Sequence, residues 1–162
     1  MTVDAVTRGT APVDPALQER LAAIFVNPED APCPGEGCCG HRLEVSRELL
    51  DLLSRLVEEL QRKLVLRYLF KCAAFNARIG GGNPFHAEGL AADLDTARMG
   101  IPTAVLAQRA WELGFNAVGV YGTNEAPGYK GKQGMVHLGI EAAPRHWGDW
   151  TPEPPTTPRG DA

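Results

Sequence analysis

Three side chains raise the first chemical question. His86 opens the run HAEGLAAD shortly after three consecutive glycines at 80–82, and Asp93 closes it. His137 stands between Val136 and Leu138, in an apolar stretch where a solvated imidazole is out of place. Two imidazoles and a carboxylate, with water in the fourth position, are a common catalytic zinc set. On spacing alone a surface-loop histidine and a strand-end aspartate read the same way, so the surroundings must decide.

The cysteines form a second group. Cys33, Cys38 and Cys39 crowd one loop, His41 follows closely, and Cys72 lies well downstream. Three readings stay open: a structural metal held by three thiolates with His41 or Cys72, a disulfide from a loop cysteine to Cys72, or free buried thiols. The spacing is not the C-x-x-C knuckle of zinc ribbons. Four cysteines in 162 residues are also too sparse for a disulfide-dense secreted scaffold.

The elements that must carry these groups follow from pattern. Asp14-Pro15 is a helix start, with Asp as N-cap and Pro in the first turn, and the helix runs to about Phe25. Residues 27–40 (NPEDAPCPGEGCCG) form a loop. Ser46 caps a longer helix to about Arg62, with Leu49, Leu53, Leu56, Val57 and Leu60 at helical spacing and Val45 and Leu50 as a hydrophobic staple. Strands are expected at Leu64–Arg67, Ala91–Asp95, Ala117–Tyr121 and Met135–Ile140, with Pro102 opening a helix that Gly114 ends after Leu113. Helices followed by mostly consecutive strands give an α+β fold, a small antiparallel or mixed sheet with helices packed on it and a metal cleft at the sheet surface. Trp147 and Trp150, with His146 beside them, are expected to close the core or the cleft edge.

Composition narrows the classes. The length suits a single domain over residues 14–150, between a polar tail at 1–13 and a Pro-rich tail at 151–162. A net charge of −4 gives no field for gathering phosphate backbones, so nucleic acid is not an expected partner. No apolar run is long enough to span a bilayer, and the N-terminus lacks the basic and apolar regions of a secretory signal.

The surroundings of His86 carry a resemblance. The run YLFKCAAFNARIGGGNPFHAEGLAADL, residues 68–94, resembles the signature of the zinc D-Ala-D-Ala carboxypeptidase and L-alanyl-D-glutamate peptidase family. Members of that family, which have a hedgehog-like zinc fold, read Ser-Gly-Tyr-Arg-Cys, then Asn, Gly-Gly, and Ser-x-His-x-x-Gly-x-Ala-x-Asp. AVGVY at 117–121 and VHLGI at 136–140 are similar to the family's Gly-x-Gly-x-Tyr and Val-His-x-Asp segments, and CPGEGCCG with the helix after it is similar to what precedes the signature in phage-type members. The resemblance spans roughly residues 25–150.

It implies that His86, Asp93 and His137 bind Zn2+, and that Lys71 stands where the family has an Arg that meets substrate carboxylate or the developing oxyanion. Lysine keeps the charge but not the two-pronged fork. The implied activity is hydrolysis of peptidoglycan stem peptides, as a carboxypeptidase or endopeptidase, by a monomer. With no signal in the chain, the expected setting is cytoplasmic synthesis with phage-type release or virion association. The departures are Pro84 for a Ser, Gly139 for an Asp, and Gly134 where the family places an acidic catalytic residue. Glu125 and Glu88, both on loops, are the substitutes for proton transfer; Asp95 shares a strand face with Asp93, and Glu141 lies about 13 Å along the strand from His137, too far to act directly. The rival expectation, raised by Gly134 and Gly139, is a zinc-holding but catalytically weak module that binds cell wall or a protein partner.

Overall fold

The computed structural model describes residues 14–154. The expected tails at 1–13 and beyond 154 lie outside the described residues. In chain order the elements are α1 (Pro15–Ile24), α2 (Arg47–Leu60), β1 (Leu66–Tyr68), α3 (Ala73–Arg78), β2 (Ala91–Asp95), α4 (Thr96–Met99), α5 (Thr103–Leu113), β3 (Ala117–Tyr121), β4 (Met135–Gly139) and β5 (Arg145–Gly148). The strands form one mixed sheet in the order β1-β2-β4-β3-β5, with β5 parallel to β3 and every other pairing antiparallel. This is the expected α+β architecture.

Local chemistry accounts for the main helices. Ser46 accepts a hydrogen bond from the Leu49 amide at 3.1 Å and so satisfies one orphan donor of α2. Leu49, Leu53 and Leu56 then bury completely, each contributing roughly 1.5–3 kcal/mol of apolar transfer. Gly114, at φ 117, takes the left-handed cap of α5, and Phe115 beyond it is buried. At the sheet edge, Asn27 extends the pairing: its amide donates to the Leu66 carbonyl at 2.9 Å and its oxygen accepts from the Leu66 amide at 2.8 Å. That protects part of an otherwise open strand edge.

Period-two alternation divides the central strands between two faces. Ala92 and Leu94 of β2, Val136 and Leu138 of β4, and Val118 and Val120 of β3 are buried in one core with residues of α1, α2 and α5. The alternate positions, Asp93, His137 and Gly119, share the other face and sit beside one another in register. No described helix is long and apolar enough to cross a membrane.

Three elements went unread in the sequence, among them the single-turn α4, which Asp95 caps. Ala73–Arg78 forms α3, where an Ala-rich segment is capped by Cys72, whose sulfur accepts from the Phe75 amide at 3.4 Å. Arg145–Gly148 forms the edge strand β5; its mostly exposed residues show no alternation, so only pairing with β3 reveals it. The first strand is also shifted, at Leu66–Tyr68 rather than Leu64–Arg67. The 151–154 segment lies beside α5: the Glu153 amide donates to Gln108 Oε1 at 2.9 Å and its carbonyl accepts from Gln108 Nε2 at 2.7 Å.

Candidate metal centre

Asp93 and His137 are directly opposed across the β2–β4 pairing, where cross-strand side chains on one face touch. His137 Nδ1 lies 3.0 Å from Asp93 Oδ1. His86 arrives from a short 3₁₀ turn at Phe85–Glu88, and its Nε2 lies 3.1 Å from Asp93 Oδ2. The three donor groups lie within 4.8 Å of one another, and all three residues are buried.

Side-chain and backbone hydrogen bonds position that turn. Asn76 of α3 donates to the Asn83 carbonyl at 2.9 Å, and a Cβ on Gly81 would overlap the Asn76 amide, so the glycine loop can lie flush on the helix. His86 Nδ1 lies 2.8 Å from the Leu69 carbonyl. A carbonyl only accepts, so Nδ1 carries the proton, and a neutral His86 turns the Nε2 lone pair toward a carboxylate oxygen. Two acceptors at that distance require positive charge between them. His86 Nε2 and His137 Nε2 are, moreover, buried without hydrogen-bond partners. The donor set therefore fits a bound metal cation, with the Leu69 carbonyl orienting one ligand from behind.

Electrostatics agree with ligation. Burial alone would raise the Asp93 pKa, but the two imidazoles set against the carboxylate outweigh it and hold the carboxyl well below its usual range. Burial pushes the His137 pKa down, against the pull of Asp93, which favours the neutral imidazole a metal needs. Lys71, also buried, places Nζ 3.4 Å from Asp93 Oδ2 and 4.6 Å over the Tyr68 ring.

A cavity of about 490 Å³ opens over the three residues. Lys71, Lys130, Lys132 and Arg145 line it, with Tyr121 and Trp147, and Asp93 is its only carboxylate among the described residues. Trp147 forms the cleft edge, its ring 5.0 Å from that of His137, whereas Trp150 packs against Trp111 beside the core. Gly119 makes this possible, because a Cβ there would overlap the Trp147 ring. Arg145 stacks 4.2 Å over the same indole and forks onto Glu141 at 2.9 and 3.2 Å. Asp149 accepts from the Gly122 amide at 2.7 Å and the Tyr129 amide at 2.6 Å, fixing the loop that carries Lys130 and Lys132.

The other expected participants lie elsewhere. Glu88 and Glu125 are exposed, and neither lines the cavity. Asp95 caps α4 and pairs with Arg67, while Glu141 is occupied by Arg145. Gly134 sits at φ 64, and an added Cβ would press on Ala97 at 3.0 Å, so the backbone itself disfavours an acidic side chain there. Gly139 has a related consequence: a Cβ would stand 3.2 Å from His137 Nε2, and its absence leaves that nitrogen without a neighbouring side-chain partner. Sequence reading missed Arg145, Lys130, Lys132 and Tyr121, whose signal was no more than basic and aromatic residues around the 122–134 loop.

The four cysteines also converge. Cys33, Cys38, Cys39 and Cys72 bring their sulfurs within 4.8 Å of one another, and all four are free thiols. His41 is not among them: its Nδ1 faces the Cys33 carbonyl at 2.8 Å. Burial pushes the Cys33 thiol up to about 12. Burial acts in the same direction on Cys72, but the Phe75 amide and the neighbouring thiols outweigh it and bring that thiol down to about 7.

Compared with protein-family models and with curated proteins, the chain matches none.

Proposed function

We propose that the chain is a zinc-dependent peptidase that hydrolyses peptidoglycan stem peptides. The observation that carries this reading is a buried His86–Asp93–His137 set, with unpartnered imidazole nitrogens, on the floor of a cationic cavity. The resemblance of residues 68–94 and 136–140 to the zinc carboxypeptidase signature supports the substrate class. A bound Zn2+ supplies Lewis acidity, polarising a carbonyl and lowering the pKa of water.

The remaining work falls to the chain. Lys71 offers a buried ammonium to a substrate carboxylate or a developing oxyanion, and Lys130, Lys132 and Arg145 draw an acidic peptide into the cleft. The Tyr121 phenol, whose pKa burial raises, stays protonated and can donate a hydrogen bond to substrate. Trp147 shields the His137 ring from water on one side. Neither carboxylate expected to carry the proton, Glu125 or Glu88, lines the cavity, although both lie on segments that border it.

One observation favours a second reading: with Asp93 the only carboxylate lining the cavity among the described residues, the same cleft would serve a binding module with little turnover. Mass spectrometry of sacculus fragments, with and without chelator, separates the two. Chelator-sensitive release of D-Ala or of split stem peptides is expected from the peptidase. Zinc uptake and sacculus binding without new fragments would establish the binding module, and loss of cleavage in Glu125→Gln or Glu88→Gln would identify the proton carrier.

A further inference from the structure

Beyond the cleft, and independent of its proposed activity, we infer that Cys33, Cys38, Cys39 and Cys72 form a second, structural zinc site. Four thiolates at the corners of a tetrahedron with Zn–S of about 2.3 Å stand about 3.8 Å apart. Cys33 Sγ and Cys38 Sγ are 3.8 Å apart, and all four sulfurs fall within 4.8 Å of one another. A disulfide would need about 2.05 Å.

The setting is largely apolar. Cys33 and Cys72 are buried with Phe70 in a small apolar cluster, against which Cys38, Cys39, Leu43 and Phe75 pack. The loop is wound for this purpose: Gly37, Gly40 and His41 all adopt positive φ, and Gly35 lacks the Cβ that would overlap Cys38 Sγ and the Phe75 ring. Four soft sulfur donors complete a four-coordinate shell, which suits a tetrahedral d¹⁰ ion. On binding, the four thiols give up four protons and no electrons move.

The site ties two distant segments together. Cys72 lies between Lys71, which touches Asp93, and α3, whose Asn76 holds the loop leading to His86. A metal here braces the wall of the cleft from behind.

Zinc analysis and cobalt substitution of the full chain test this. Wild-type protein is expected to bind two zinc equivalents, and Cys38→Ser/Cys39→Ser one. Loaded with cobalt chloride, wild type should show thiolate-to-cobalt charge transfer in the near ultraviolet, the double variant should lack it, and Asp93→Asn/His137→Ala should retain it. Denatured without reductant, wild type should release four titratable thiols. If the serine variant fails to fold, the wild-type spectrum and thiol count still decide. Cobalt-loaded wild type without charge transfer, or two titratable thiols instead of four, overturns the site. Failure to cleave sacculi with the charge-transfer band intact removes only the peptidase reading.

Discussion

At the centre of the sheet, Asp93 and His137 meet because antiparallel pairing sets them in register, and a 3₁₀ turn held by the Leu69 carbonyl adds His86. At the junction before α3, Cys33, Cys38, Cys39 and Cys72 meet because a loop with three left-handed residues folds back on it. Both clusters are compact and rich in metal donors. They differ in what surrounds them. The first faces a cavity of about 490 Å³ lined by cations, while the second is packed on Phe70 and Phe75. An open coordination position belongs to chemistry and a filled one to structure, so similar donor counts can serve opposite purposes.

The largest effect tests the open cluster. Asp93→Asn keeps the shape but removes the charge between two imidazoles and Lys71, and is expected to lower the proposed stem-peptide hydrolysis on the order of 10³-fold or more. Metal analysis should show one equivalent lost and the thiolate site kept. Loss of both metals would mean that the clusters are not separate.

A smaller loss should follow from the closed cluster. Cys38→Ser/Cys39→Ser is expected to lower activity by roughly ten- to a hundredfold, the range seen when groups behind metal ligands are removed, together with a clear drop in thermal midpoint. Activity unchanged at a lowered midpoint would confine the thiolates to stability and break the proposed bracing of the cleft wall.

The wall on the other side offers a gentler probe. Gly119→Ala should cost about 1–3 kcal/mol, because the added methyl overlaps Trp147 and displaces the ring from His137. In Gly119→Ala/Trp147→Ala the methyl has room, so denaturant melts of the single and double variants should be non-additive. Simple additivity would show that the glycine is not there for the indole.

The smallest effect concerns the loop that carries the cleft lysines. The Tyr129 and Gly122 amides hold the Asp149 pKa below its ordinary value. That stabilisation is present above the ordinary carboxylate pKa and disappears as the pH falls through the depressed folded value. Asp149→Asn should therefore be less stable than wild type near neutrality, by about 1 kcal/mol or less for so exposed a group, and the difference should close in acid. A difference that grew in acid would contradict the assignment.

Much of this was readable along the chain because its causes are local. Ser46 as a cap, Gly114 after the last turn of α5, and the apolar runs around Val118 and Val136 declare helix ends and buried strands within a few residues of themselves. The chemistry of His86, Asp93 and His137 was visible in their types and their unusual neighbours. β5 was not, since its residues gain a strand's hydrogen bonds only from β3. Nor was α3, whose cap is a cysteine.

What no local pattern contains is which distant residues share a space. Register on the sheet, not spacing, opposes Asp93 to His137 and sets Gly119 beside them for Trp147 to cover. The path of the 33–42 loop, not the proximity of His41 in the chain, brings Cys72 to the other three thiols. Glu88 and Glu125, readable as acid–base groups from their loops, point to solvent, and cations fill the cleft instead. Residue types set the available chemistry; strand pairing and loop closure, which join segments tens of residues apart, decide where it is assembled.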